Sequence, residues 1–311
     1  MSEKTHRVNL GILLVGTPNS SFKLPSLSKL GKHVEQAGFH RVGISDHLIA
    51  SHVETFDPIV CLATLCESTS QIRVAVQVMV VPLRHPVQIA HAFTSLDILS
   101  NGRIELGVGV GGEWPAEFES MGIDIRSRGD RTDESLEIIT SLWRGDCVNF
   151  DGKHFQIKGL QSRSLPIQTP FPPIVIGGRS DRALNRAAKV GNRWDGIFLT
   201  PDKFSSLKSR LDELSKISMR NVGSGMVIWA CVGKKKQAQE SLAQAMQSFY
   251  QVPFERFERF TITGSQEEVK ERIADFVQRG ASDISIIPVG DFETQIDILG
   301  EINQSLKNDS L

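Results

Sequence analysis

The sequence predicts an α/β protein of the (β/α)₈ TIM-barrel class, with residues 1–311 forming a single domain. Two observations carry this prediction: eight short apolar runs alternate with amphipathic segments, and no long polar linker interrupts the series. Strict alternation implies parallel strands joined by right-handed crossovers. Eight such units favour a closed barrel over an open doubly wound sheet. In such a barrel, functional residues lie where the strands end.

Each element follows from a local pattern. Strands are predicted from apolar and β-branched runs, at residues 8–15, 40–44, 73–80, 104–108, 174–176, 196–199, 226–232 and 284–288. Helices are predicted where apolar residues recur at helical spacing, at residues 26–38, 58–70, 86–100, 130–143, 182–190, 202–217, 237–249, 266–279 and 292–306. After the fourth unit, the Asp151-Gly152 pair predicts an inserted β-hairpin over residues 147–158.

The composition excludes several classes of function. The 35 Lys and Arg residues against 36 Asp and Glu give a net charge of −1, so no basic field for nucleic acid or an acidic membrane is expected. No apolar run is long enough to span a membrane, and residues 1–8 lack the apolar core of a signal peptide. The four cysteines form no C-x-x-C pair. This pattern predicts a cytoplasmic protein without disulfides or a metal site.

The second predicted strand ends in Ser45, Asp46 and His47. An Asp-His pair at a strand end is typical of a general base with its orienting carboxylate. A polar lining, with Ser45 or Asp46 capping a helix, explains the same residues.

The fourth predicted strand ends in a glycine run. Gly107, Gly109 and Gly112 satisfy the G-x-G-x-x-G spacing, but Trp114 and Pro115 follow where a helix N-terminus should receive a pyrophosphate. Glycine weakens a strand, and the close approach of a ligand is a usual compensation. The run therefore indicates either a surface on which a flat ring lies or a tight turn.

The fifth predicted strand ends in Gly177, Gly178, Arg179 and Ser180, and a helix follows at once. Free backbone N–H groups at a helix N-terminus, with a guanidinium and a hydroxyl beside them, form an anion site. Phosphate is the expected anion because many cofactors carry one. An ordinary capped turn is the alternative.

The third predicted strand contains one polar residue, Gln77, in an otherwise apolar run. Its amide could line the barrel mouth. It could equally be a core amide whose hydrogen bonds are satisfied.

Taken together, these segments resemble the bacterial luciferase-like oxidoreductases, a family of barrels that use FMN or the deazaflavin coenzyme F-420. The resemblance runs in the family's order along nearly the whole chain. The motifs that carry it are LDILSNGRIELGVGVG at 96–111, EF at 117–118, MG at 121–122, RGDRTDE at 128–134, LWRG at 142–145, PPIVIGG at 172–178 and AAKVGNRWDG at 187–196.

The resemblance implies roles for the strand ends. Ser45-Asp46-His47 is similar to the deazaflavin-dependent branch, so Asp46 and His47 are expected to face the reactive ring. Glu113 is the nearest match to a glutamate that some of these enzymes use in catalysis, although an extra glycine shifts it by one position. The expected cofactor contacts come from three segments: a bulge or a non-proline cis peptide behind the ring, the glycine run, and the phosphate turn. Their residues are Gln77, Val78, Gly109, Val110, Gly111, Gly112, Gly177, Gly178, Arg179 and Ser180.

The cofactor decides the chemistry that the resemblance implies. A deazaflavin exchanges hydride and reacts poorly with oxygen, so the first expectation is hydride transfer to or from a small organic substrate, with His47 handling the substrate proton and Glu113 protonating the ring. The alternative is an FMN-dependent monooxygenase served by a separate flavin reductase. A third is a flavin-binding barrel without turnover. Because several luciferase-like proteins are dimers, a homodimer is also expected.

Overall fold

The computed structural model describes residues 8–16, 24–49 and 52–308. Its strands are β1 (Asn9–Leu14), β2 (Arg41–Ile44), β3 (Arg73–Val80), β4 (Ile104–Gly109), β5 (Val148–Asp151), β6 (Gln156–Leu160), β7 (Ile174–Gly177), β8 (Arg193–Ile197), β9 (Gly223–Val232), β10 (Ile262–Gly264) and β11 (Asp283–Pro288). Its α-helices are α1 (Leu27–Gln36), α2 (Pro58–Ser68), α3 (Pro86–Leu99), α4 (Pro115–Ser120), α5 (Arg128–Trp143), α6 (Asp181–Val190), α7 (Pro201–Ile217), α8 (Lys235–Tyr250), α9 (Gln266–Gln278) and α10 (Phe292–Asn308). None of these helices is long and apolar enough to cross a membrane.

Eight of the strands close into a parallel barrel in the order β1-β2-β3-β4-β7-β8-β9-β11, with β11 paired back onto β1. This confirms the predicted fold. The short strand β10 pairs with the outer part of β9 and was not predicted, because three residues carry too little pattern. The apolar faces of the helices pack around the barrel in one large core, which buries residues such as Leu10, Phe93 and Phe204 completely.

The predicted hairpin is present as the antiparallel pair β5 and β6. Asp151 still belongs to β5, so the turn falls one residue later than the sequence indicated. The carboxylate of Glu134 on α5 accepts hydrogen bonds from the backbone N–H groups of Lys153, His154 and Phe155 at 2.9 to 3.2 Å. One half-buried carboxylate therefore fastens the turn of the insertion to the barrel wall.

The N-terminal end of the barrel is filled by paired charges. Arg41 contacts Glu105 and Asp283 at 2.8 Å each, and Arg193 contacts Asp195 at 2.7 Å. All five side chains are buried. Burial alone would raise the pKa of Glu105, but the neighbouring guanidinium groups outweigh it and hold that pKa well below its usual range. This charged layer closes one end of the barrel and leaves the other end to form the site.

One strand boundary was predicted wrongly because of these buried charges. The sequence placed the sixth barrel strand at 196–199, whereas β8 runs over Arg193–Ile197. Arg193 and Asp195 point into the barrel and pair with each other. A charged pair on the inner face removes the apolar signature on which the prediction depended.

Candidate functional site

The end of β2 is fixed by Asp46. This residue is 3% exposed, and its two carboxylate oxygens accept hydrogen bonds from Arg84 at 2.6 and 2.8 Å and from the backbone N–H of Val80 at 2.8 Å. Burial raises the pKa of Asp46, and the Arg84 guanidinium opposes that rise. Asp46 therefore ties the end of β2 to the end of β3. Its oxygens are engaged there. Asp46 therefore does not orient the imidazole, which is the role that the sequence suggested for it.

The imidazole of His47 is held instead by two residues at the start of α4. Its Nδ1 lies 3.1 Å from Oε2 of Glu117, and the other oxygen of Glu117 accepts the backbone N–H of Leu48 at 2.5 Å. The ring of Trp114 lies against the imidazole, with the centroids 3.6 Å apart. Phe249 approaches with an edge, at a centroid distance of 6.0 Å. The imidazole is thus fixed at the C-terminal mouth.

Sequence reasoning missed the roles of Glu117, Trp114 and Arg84. Glu117 lies 70 residues beyond His47 in the chain, and no local pattern of the sequence predicts that its carboxylate is buried against the imidazole. The six-residue helix α4 was not predicted either. The one available signal was the Glu117-Phe118 motif, which had contributed to the family resemblance without a role of its own.

The peptide bond between Gln77 and Val78 is cis, and the pairing of β3 with β4 shifts register between Val76 and Met79. Both features were implied by the resemblance, and both are present. The Gln77 side chain points into the barrel, where its amide nitrogen donates to Asp195 at 3.2 Å and to Ser285 at 2.9 Å. Gln77 is 6% exposed, so it is a core amide beneath the mouth.

The glycines of β4 make room for the Val78 bulge. A Cβ at Gly109 would collide with the Val78 side chain, and one at Gly107 would collide with the Val76 carbonyl oxygen. On the next strand, a Cβ at Gly177 would lie 2.9 Å from Cγ1 of Val78. The sequence suggested that a flat ring lies against this glycine backbone. In the structure the Val78 side chain occupies the space beside Gly107, Gly109 and Gly177.

The rim continues beyond β4 through Val110, Gly111 and Gly112. Gly111 and Gly112 have φ values of +62° and +117°, which glycine adopts without strain. A Cβ at Gly112 would lie 3.4 Å from Nε of Arg128, a buried atom without a hydrogen-bond partner in the part of the chain that the structure describes. Glu113 follows and is exposed. The structure thus places the glycine turn and Glu113 at the mouth, beside His47's neighbour Trp114.

The predicted phosphate turn lies at the start of α6. Gly178 has φ +124°, and Ser180 caps the helix by accepting the N–H of Ala183 at 3.3 Å. Arg179 is exposed, and its Nη1 donates a long hydrogen bond of 3.4 Å to the carbonyl oxygen of Phe198. The turn is therefore capped, as the alternative interpretation of the sequence predicted, and its guanidinium reaches solvent, whereas the anion site stays a prediction. The first N–H groups of the helix have no intrahelical acceptor.

An aromatic cluster adjoins His47 and Trp114 at the mouth through Phe249. The side chains of Phe198, Trp229, Phe249, Tyr250 and Phe257 contact one another with centroid distances of 4.9 to 5.9 Å. The indole N–H of Trp229 donates to the Tyr250 hydroxyl at 3.3 Å. Burial raises the pKa of Tyr250 above its ordinary range, so the phenol stays neutral. The cluster presents an apolar, uncharged wall.

The sequence model of the Luciferase-like monooxygenase family matches residues 9–247. The chain belongs to this family. Its members are oxidoreductases and monooxygenases, so the protein is an enzyme of this class.

Named relatives divide between two cofactors. The chain is 32% identical over 182 residues to an F-420-dependent hydroxymycolic acid dehydrogenase of Mycobacterium tuberculosis, which covers 57% of this chain and 50% of that protein. It is 30% identical over 159 residues to the oxygenase component of a flavin-dependent trigonelline monooxygenase of Acinetobacter baylyi, covering 50% of this chain and 44% of that protein. The matches span about half the length of these relatives. They agree with the prediction that the cofactor is F-420 or FMN.

Solved structures support the fold. An F-420-dependent secondary alcohol dehydrogenase in complex with an F-420–acetone adduct superposes with a TM-score of 0.86 at 17% identity, and covers 97% of this chain and 100% of that one. At this identity the likeness concerns the barrel alone.

Proposed function

We propose that this protein is a deazaflavin-dependent oxidoreductase that moves a hydride to or from a small organic substrate. The observation that carries the proposal is the placement of His47. Its imidazole is fixed at the mouth by Glu117 and Trp114, on the strand next to the one that carries the Val78 bulge. An acid–base group beside a redox cofactor is what hydride exchange with an alcohol or a carbonyl requires.

The residues at the mouth fit such a cofactor. Val78 presents a methyl surface at the bulge, and Gly178 leaves open a space that a Cβ would fill, 3.2 Å from Cβ of Ala183. The backbone N–H of Gly178 already donates to the carbonyl oxygen of Asp195 at 3.2 Å, so Gly177 and Gly178 would shape the turn. The Ser180 hydroxyl and the first N–H groups of α6 would hold the phosphate, and Arg179 would add a charge-assisted contact. The bound coenzyme would supply a hydride acceptor or donor.

The protein's own residues would perform three tasks. His47 would accept the hydroxyl proton of an alcohol substrate, or return it to a carbonyl. The aromatic cluster and Trp114 would exclude water from the reacting atoms. Glu113, exposed on the rim, is proposed to exchange the cofactor proton with solvent.

The family supports this proposal through its F-420-dependent members, among them the hydroxymycolic acid dehydrogenase. A second candidate function is FMN-dependent oxygen insertion with a separate flavin reductase, and the trigonelline monooxygenase favours it. The phosphate turn and Val78 fit either cofactor, because both cofactors carry a phosphate and a flat tricyclic ring, so the choice between the two functions depends on the acid–base role of His47.

Turnover distinguishes the two functions. The purified protein, oxidised F-420 and a panel of secondary alcohols are mixed without oxygen, and the absorbance of the oxidised coenzyme is followed. We expect bleaching with at least one alcohol, and no requirement for oxygen. Turnover that appears only with reduced FMN, oxygen and a reductase would replace the proposal with the monooxygenase.

A homodimer remains part of the proposal. Helices α2 and α3 carry large apolar side chains on the outer surface: Val60 is 53% exposed, Ile98 51% and Leu99 48%. Light scattering on a size-exclusion column is expected to give twice the mass of the chain, and a monomer at micromolar concentration would rule the dimer out.

A further inference from the structure

The ring nitrogen that His47 presents to a ligand can be either a hydrogen-bond donor or an acceptor. A neutral imidazole donates from one ring nitrogen and accepts at the other, so the partner of one nitrogen decides the role of the other. Nδ1 lies 3.1 Å from Oε2 of Glu117, which is 3% exposed. An ionised carboxylate has no proton to donate, so this contact places the proton on Nδ1.

The carboxylate itself has little freedom to rearrange. Its other oxygen, Oε1, accepts the backbone N–H of Leu48 at 2.5 Å, so both oxygens act as acceptors toward the segment that carries His47. Trp114 and Glu117 stand three residues apart at the start of α4. One short helix therefore supplies both the ring that stacks on the imidazole and the carboxylate that binds its edge.

We infer that Glu117 is a positioning residue that holds His47 as the Nδ1–H tautomer and leaves Nε2 as a proton acceptor for the ligand. The inference rests on the proposed function for its catalytic consequence. In an alcohol oxidation the C–H bond breaks and its electron pair moves as hydride to the oxidised deazaflavin. The O–H proton passes to Nε2, and the O–H electron pair forms the carbonyl π bond. With the other tautomer, Nε2 would carry a proton already and could not accept one.

The substitution Glu117→Gln tests this assignment because it changes one oxygen into an NH₂ group. The Leu48 N–H still needs an acceptor, so the amide oxygen is expected to stay on it and the NH₂ group to face His47. Nδ1 must then accept, and the ring proton moves to Nε2. The variant should invert the tautomer without changing the size of the side chain.

The readout is the ring ¹⁵N spectrum of protein labelled in its eight histidines, recorded without cofactor at a pH where the imidazoles are neutral. His47→Asn identifies the His47 signals. We expect a protonated Nδ1 and a bare Nε2 in the wild type, the reverse in Glu117→Gln, and no change in Glu119→Gln, which alters an exposed glutamate of the same helix. A wild-type Nε2–H tautomer would overturn the inference, and this result does not depend on the folding of Glu117→Gln. An unchanged tautomer in Glu117→Gln would overturn it as well.

Kinetics separate this inference from the proposed function. Glu117→Gln is expected to lower kcat for alcohol oxidation by about 10²- to 10⁴-fold, the usual worth of a general base, and to leave the Kd for F-420 unchanged. If F-420 does not bind the wild type, the proposed function fails while the tautomer result still stands. If F-420 binds and turns over but Glu117→Gln keeps full kcat, the positioning role fails alone.

Discussion

At the N-terminal end of the barrel, Arg41, Arg193, Glu105 and Asp283 are buried and paired with one another. At the C-terminal mouth, Arg179 and Glu113 are exposed, and His47 is held by one edge. The strands thus begin in a closed network of paired charges, and they end at groups that can still form hydrogen bonds. This difference indicates that the N-terminal end stabilises the fold and that the C-terminal mouth is available for a ligand.

The largest effect on activity is expected from removing the imidazole at the mouth. His47→Ala is expected to lower turnover by about 10²- to 10⁴-fold, because the substrate proton loses its acceptor. Binding of F-420 should be retained, since the predicted phosphate turn is untouched. Steady-state kinetics and a binding titration measure the two effects, and His91→Ala on the exposed surface of α3 is the control. Unchanged turnover with intact binding would remove His47 from the mechanism.

Breaking the buried charge network at the N-terminal end is expected to lower the stability of the protein and not its activity. Glu105→Gln leaves Arg41 and Arg193 without one of their buried partners, which is expected to cost about 3–5 kcal/mol of unfolding free energy. Urea denaturation measures it. The control is Glu213→Gln, which breaks an exposed pair with Arg210 and should cost about 0–1 kcal/mol. Equal effects of the two variants would show that the closed end does not stabilise the barrel.

The phosphate turn predicts a smaller effect. Arg179→Ala is expected to weaken F-420 binding by about 1–3 kcal/mol, since a charge-assisted contact is lost. Its control is Arg144→Ala, which removes an exposed arginine at the other end of the neighbouring helix α5. Dissociation constants from fluorescence titrations compare them. The same constant for both variants would place the phosphate elsewhere.

Acidification provides the most gradual test. Burial alone would raise the pKa values of Glu105 and Asp283, but the adjacent arginines lower both. A carboxyl group whose pKa is lower in the folded state stabilises the protein above the unfolded pKa, and that stability is lost as the pH falls through the folded pKa. The unfolding free energy should therefore decline below about pH 4.5, the ordinary value for glutamate. A series of urea midpoints checks this, and stability that rises on acidification would contradict it.

The sequence predicted the barrel because each strand leaves a local trace. Strand β3 was predicted over the residues that it occupies, since Arg73–Val80 alternates β-branched side chains. The start of β8 was missed because Arg193 and Asp195 satisfy each other inside the barrel. That pairing depends on closure of the sheet, which no local pattern reports.

The site was predicted only in part, for a similar reason. The strand-end residues His47 and Gly178 could be named as candidates because the barrel brings the ends of its strands together at one mouth. The partner of His47 could not, because Glu117 reaches it through a short helix on a different loop. Likewise the glycines of β4 signalled a close approach, but the approaching group is Val78 from the neighbouring strand.

The most direct test of the proposed function is a pair of titrations that follow tryptophan fluorescence while oxidised F-420 or FMN is added. Trp114 lies at the mouth against His47, so a bound ring is expected to quench it. We predict saturable quenching by F-420 at micromolar concentration, with binding at least as tight as that of FMN in either redox state. Tighter binding of reduced FMN, with none of F-420, would contradict the account and identify an oxygenase.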